Sequence, residues 1–167
     1  VGTAAGSPAV INGWRLYAHP LFLDQLEALI TEVESLRRKD PQGYGSKNAS
    51  KRLAAIARLM FQDIPQDPNR KEYQQGSTLG AEHRHWRRAK FFQQYRLFFR
   101  FHTRSRLIVL GWVNDISTKR AYGSKTDAYR VFQSMLASGH PPDDWDELLQ
   151  EATQATGRLQ QLTDRLP

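Results

Sequence analysis

The feature that most narrows the possible folds is a strand-like alternation in the middle of the chain, YRLFFRFH over 95–102. Leu97, Phe99 and Phe101 alternate with Arg96, Phe98, Arg100 and His102, the period of two that puts successive side chains on opposite faces of a sheet. Thr103-Arg104-Ser105 suits a hairpin loop. Arg106–Asn114 then returns as an almost wholly apolar strand (Leu107, Ile108, Val109, Leu110, Trp112, Val113), a composition that fits a central strand covered on both faces. Gly111 within it marks a bulge or the close approach of another segment.

The chain around this pair is strongly basic. His83–Asn114 holds eight Lys or Arg and no Asp or Glu, with Trp86, Phe91, Phe92, Tyr95, Phe98, Phe99, Phe101 and Trp112 threaded between them. Two readings follow. Cations attract a phosphate backbone and aromatic planes stack on unpaired bases. Alternatively, the aromatics are core and the cations a solvated strand face. The net charge of +7 calls for an anionic partner without saying which. It is unevenly spread: residues 141–167 carry two basic residues and six acids, a balance of −4, so the rest carries +11.

At 167 residues the chain suits one domain with a real core. Cysteine is absent, which removes disulfides and thiolate chemistry and fits a reducing cytoplasm, the expected compartment. No run approaches a membrane span and no signal peptide is expected. Residues 1–9 read as a flexible leader, 10–140 as the main domain and 141–167 as an acidic, amphipathic helical tail. Val10–Ala18 can open the domain as a strand, with Asn12-Gly13 a bulge or turn. His19-Pro20 starts a helix running to about Lys39, ended by Asp40-Pro41-Gln42-Gly43. A second helix is expected at about Lys47–Gln62, with Lys47, Lys51, Arg52 and Arg58 on its outer side. A long connection, 64–80, follows. Beyond the sheet, a loop over Asn114–Gly123 leads to a helix after Ser124, capped reciprocally by Ser124 and Asp127 and ended by Gly139. The tail segment starts near Asp143 and frays after Gly157. The order predicts an α+β domain, with a mostly antiparallel sheet, the N-terminal helix pair on one face and C-terminal helices.

No metal site and no cofactor are expected: His83 and His85 have no carboxylate nearby in sequence, and a histidine pair in a basic run attracts a dication poorly. Walker, GxGxxG and GxSxG motifs are absent. RNA cleavage by the ribose 2′-OH needs no metal, only in-line orientation, charge stabilisation and two proton movements. A basic cleft furnished with Tyr122, Lys125 and several arginines has the groups for it.

NGWRLYAHP (12–20), YRLFFRF (95–101), IVLGWVND (108–115), YGSKTDAY (122–129) and GHPPDDW (139–145) together resemble the YhaV family, RelE-like toxins of bacterial type II toxin–antitoxin pairs. The likeness covers about Asn12 to Glu151 in unbroken order. It implies a small RelE-like fold and a metal-independent endoribonuclease that cleaves mRNA on the ribosome and arrests growth. It implies as partner a PrlF-like antitoxin of AbrB-type fold, through which alone the toxin reaches DNA; no membrane is involved. Carried onto this sequence, the expected catalytic residues are Arg88 and Arg96 for phosphate charge, Lys90 and Lys125 as proton movers or phosphate ligands, Arg120 for the transition state, and Tyr122 to orient the 2′-OH or stack on a base. Arg84, His85, Trp86, Arg87, Arg100, Asn114 and Tyr129 are expected RNA contacts, Tyr129 also rivalling Tyr122. The linker between Lys90 and Arg96 is one residue shorter than in the family. A three-residue turn (Phe92-Gln93-Gln94) sets Lys90 opposite Arg96, whereas a two-residue turn sends them to opposite faces; neither has the expected Gly. A non-catalytic RNA- or ribosome-binding module, or a basic face that mainly receives an acidic antitoxin segment, would use the same residues, and the acidic tail could shield that face in cis.

Overall fold

A computed structural model describes residues 6–121 and 124–167. Five strands, β1 (Ala9–Ile11), β2 (Trp14–Ala18), β3 (Arg87–Phe91), β4 (Tyr95–His102) and β5 (Leu107–Val113), form one sheet in the order β1-β2-β5-β4-β3. Asn12-Gly13 is the turn of a β1–β2 hairpin, and β2 lies parallel to β5 while every other pairing is antiparallel. All seven residues of β5 are buried. Its apolar run thus occupies the centre of an α+β sandwich, as its composition predicts.

Helices α1 (Pro20–Lys39) and α2 (Asn48–Arg58) cover one face. His19 caps α1, its Nδ1 accepting the Leu21 N–H at 3.1 Å, and gives its other ring nitrogen to Glu151 at 2.7 Å. The second helix outruns its expected end: a widened π turn over Leu59–Asp63 leads into α3 (Ile64–Gln66). Pro65 has no N–H to give, and the widened turn absorbs that loss just upstream. Arg52 is not on the outer side, as its sequence position suggested; it is buried, 5.4 Å from the Tyr95 ring centre and 3.7 Å from Glu32. Helix α4 (Ala128–Ala137) and the first tail helix α5 (Trp145–Gln154) cover the other face. The tail does not fray at Gly157: α6 (Thr156–Asp164) buries Leu159 and Leu162 against the first face, and Arg158 and Arg165 pair with Asp24, Glu27 and Glu34 of α1. No helix among the described residues is long and apolar enough to cross a membrane.

Gly111 is both a bulge and a close approach. Phe98 pairs with Trp112 and Phe99 with Leu110, leaving Gly111 unopposed. The extra residue turns Trp112 away from the Leu110 face and into the second core, against Phe132 and Phe98. A Cβ at Gly111 would stand 2.5 Å from Cζ3 of the fully buried Trp86. Gly111→Ala is therefore expected to destabilise the fold by about 1–3 kcal/mol through overpacking. Chemical denaturation of the two proteins checks this; an unchanged midpoint would show that Trp86 has room to retreat.

The turn between β3 and β4 is the three-residue one. Lys90 faces Arg96 and Phe91 faces Tyr95, with Phe92 and Gln93 at positive φ (46° and 63°). Neither is glycine, so the turn is strained and must be held from outside. Arg96 gives its Nη1 to the Gln93 carbonyl at 2.7 Å, and the Gln94 carbonyl receives Asn114 Nδ2 at 3.0 Å and the Arg120 N–H at 2.8 Å.

Candidate active site

One cation each from β3 (Arg88), β4 (Arg96) and the loop before α4 (Arg120) meets the others at one side chain, Tyr129. It stands in the first turn of α4, 5% exposed, its ring edge-on to Phe98. Its hydroxyl accepts Arg88 Nε at 2.8 Å and Arg96 Nε at 3.1 Å. The Arg120 guanidinium lies 4.6 Å from its ring centre and that of Arg96 at 5.8 Å, cation–π distances that offset crowding of like charge. Strand alternation explains the gathering: with Lys90 opposite Arg96 and Arg88 opposite Phe98, all four face α4. Arg88 also gives Nη1 to the Glu72 carbonyl at 2.7 Å, a contact supplied by the long 64–80 connection.

Arg120 is held by Asp127. The buried Asp127 accepts Arg120 Nη1 and the Ala121 N–H with one oxygen, and caps α4 with the other by accepting the Tyr129 N–H at 3.0 Å. Ser124 does not share the cap, as the sequence suggested; its hydroxyl accepts the Thr126 N–H instead. Burial opposes charge on Asp127, but the bonds from Arg120, Ala121 and Tyr129 outweigh it and hold its carboxyl below the usual range. Burial likewise opposes charge on Asp115 and Asp143, and hydrogen bonds from Ser117 and Thr118, and from Trp86 and His85, again prevail. Such groups bind protons more readily in the unfolded chain, so the stability they contribute is present above their ordinary value of 3.8 and lost as pH falls through it. The urea midpoint should ease downward once pH falls below about 6.5, because burial holds the His19 imidazole below its ordinary value, and drop more steeply below about pH 4. A midpoint that rose on acidification would contradict the ionised pairings.

Beside this cluster runs a groove of about 620 Å³ along the β3 edge, lined by Arg58, Arg70, Lys71, Arg88 and Lys90 among others. Asp63 and Glu72 also line it, at 3.5 Å from Arg58 and 3.6 Å from Arg70. The groove is therefore net positive, with a guanidinium and an ammonium from one strand at its wall.

Over residues 16–153 the chain matches the YhaV toxin family, described as a toxin with endonuclease activity, of toxin-antitoxin system. It belongs to that family. Toxin YhaV of Escherichia coli O6:H1 is 45% identical over 150 residues, 89% of this chain and 97% of that protein. Ribonuclease toxin YhaV of Escherichia coli (strain K12) is 46% identical over 146 residues, 86% of this chain and 95% of that protein. No solved structure matches. Membership makes this YhaV-family chain an endonuclease toxin with an antitoxin partner.

Not every expected site residue of the YhaV-family chain joins the cluster. Arg88, Arg96, Arg120 and Tyr129 do, and Lys90 is exposed at its rim. Lys125 is exposed in the turn before α4, and Tyr122 lies outside the described residues. Trp86 is fully buried and has no open face for a base. Arg87 points to the opposite face, 5.3 Å from the Phe101 ring centre. Arg100 is held between Trp86 and Trp145 and gives Nη1 to the Asp143 carbonyl at 2.7 Å. Asn114 is buried as a clamp, accepting the Arg96 N–H and donating to Gln94 and Thr118. Arg84 and His85 remain exposed. Among the described residues the tail meets this basic segment through Asp143 and Trp145, against His83, His85, Trp86, Arg100 and His102, and no hydrogen bond joins it to Arg88 or Arg96. Sequence reasoning missed Asp127 as the partner of Arg120 and the backbone carbonyls of Glu72 and Gln93 as acceptors. Carbonyl acceptors leave no mark in a sequence, whereas Asp127 is visible as the one acid in the stretch 116–142.

Proposed function

We propose that this endonuclease toxin cuts RNA without a metal, by attack of a ribose 2′-OH on the adjacent phosphorus. The observation that supports it most is the convergence of Arg88, Arg96 and Arg120 on Tyr129 at the wall of a basic groove. Tyr129 and the Glu72 carbonyl take two of the five N–H donors of Arg88, leaving the rest of the fork for a phosphate. Lys90 adds a mobile charge at the rim. Arg96, 7% exposed, acts from behind by fixing Tyr129 and the strained turn. Arg120 faces the charge that grows on the pentavalent phosphorus. Lys90 and Lys125 move protons, one from the attacking 2′-OH and one to the leaving 5′-oxygen, and Tyr122 orients the nucleophile or stacks on its base.

Residues 10–140 carry this activity. The substrate is mRNA on the ribosome in the cytoplasm, and the result is arrested translation. A PrlF-like antitoxin of AbrB-type fold silences the toxin by covering the groove, and the toxin meets DNA only through it. The test is incubation of the purified chain in EDTA with an mRNA and with single-stranded DNA of the same sequence. Cleavage confined to the RNA is expected; equal cleavage of the DNA, or a requirement for added Mg²⁺, would overturn the reading.

A further inference from the structure

We infer that His83, His85 and Asp143 form a binding site for a single zinc-class divalent cation, separate from the nuclease cluster. The sequence argument against a metal was that no carboxylate accompanies the histidine pair. The fold supplies one from 58 and 60 residues away. Asp143 Oδ1 lies 2.8 Å from His85 Nε2 and 3.1 Å from His83 Nδ1, and the three ligand atoms all fall within 4.8 Å of one another. Two imidazoles and a carboxylate, with a fourth position for water, are a donor set that zinc takes, as do nickel, cobalt and copper. Tetrahedral ligands about 2.0–2.1 Å from an ion stand roughly 3.3 Å apart, so the two carboxylate–imidazole spacings need only a few tenths of an ångström of adjustment, and the two imidazole nitrogens, within 4.8 Å of each other, turn to the same spacing.

Three features distinguish this from a simple hydrogen-bonded trio. First, Asp143 Oδ1 faces three nitrogens, those of His83, His85 and Trp86 (2.9 Å), while Oδ2 takes no hydrogen bond from the described residues. An oxygen with two lone pairs does not satisfy three donors well, and a cation replacing the two histidine protons relieves the crowding. Second, the ligands are braced from behind: the buried Trp86 fixes the carboxylate and Arg100 fixes the Asp143 backbone carbonyl. Third, His85 and the Asp143 side chain are each over one-third exposed, which gives an ion its route in. Bound there, the ion ties the start of α5 to the segment entering β3, beside the strand pair that carries Arg88.

The test is thermal unfolding of the full chain, first in EDTA and then with one equivalent of ZnCl₂, for the unchanged protein and for His85→Ala. A zinc-dependent rise of several degrees that disappears in His85→Ala, with zinc affinity at least about tenfold lower, supports the site. No rise in the unchanged chain overturns it, as does a rise retained by His85→Ala, which would put the ion on His19, His102 or His140. If His85→Ala melts abnormally in EDTA, a Co²⁺ titration of Asp143→Asn decides. Loss of the tetrahedral visible band supports the site, and its retention overturns it.

Discussion

Arg88→Ala is expected to cleave RNA at least about 100-fold more slowly than the unchanged chain and to leave growth unaffected when its synthesis is induced. Arg88 joins the Tyr129 cluster to the basic groove, anchored at one end by the Tyr129 hydroxyl and the Glu72 carbonyl. Alanine removes the charge that faces the phosphate while both anchors stay in place. Its half-buried position on the edge strand keeps the structural cost small. Arg88→Lys should recover little, because a point charge cannot reach Tyr129, Glu72 and a phosphate oxygen at once. Single-turnover kinetics on a defined mRNA would measure the loss. Arrest and mRNA fragmentation that persisted in Arg88→Ala would remove this residue from the chemistry.

Asp127→Ala should cost about 3–5 kcal/mol of stability, as much as truncating a large core side chain. One carboxylate, its side chain 2% exposed, does three things: it pairs with Arg120, takes the Ala121 N–H and caps α4. Alanine takes the carboxylate away from beside the Arg120 guanidinium, 14% exposed, and the acceptor away from the first turn of α4. The lost cap alone is worth about 1 kcal/mol. Asp127→Asn should fall between the two, since an amide oxygen still caps the helix but carries no charge. Urea denaturation at pH 7 would rank the three proteins. A midpoint for Asp127→Ala within about 1 kcal/mol of the unchanged chain would mean that the ion pair contributes no more than an exposed one.

The sheet was legible because its sequence carries its own geometry. The unbroken apolar run of β5 can only be central, and the alternation of β4 assigns its faces. Gly111 was suspect because a glycine inside an apolar strand marks a bulge or a close approach, and Trp86 proves to fill the spot. The β3–β4 register was not legible. With no glycine in Phe92-Gln93-Gln94, local preference does not choose a turn, and the choice falls to Arg96 just beyond it and to Asn114 and Arg120 from farther along the chain, which bind its carbonyls. The same limit hid the roles of single side chains. Interleaved cations and aromatics look alike in a sequence whether a ring meets a base or the core, so Trp86 passed for a stacking platform. Arg52 looked solvated because helical spacing does not show that Tyr95 offers it a ring. Asp143 went unconnected to His83 and His85 because nothing local joins residues so far apart.

The central claim is that a ribose 2′-OH, held among Arg88, Arg120 and the neighbouring lysines, breaks the RNA chain. It is tested most directly by the chemical ends of the fragments, determined by mass spectrometry after cleavage in EDTA. The account predicts upstream fragments ending in a 2′,3′-cyclic phosphate or the 3′-phosphate it opens to, and downstream fragments beginning with a 5′-hydroxyl. Upstream 3′-hydroxyl ends with 5′-phosphates downstream would mean that water attacked instead, and would contradict it.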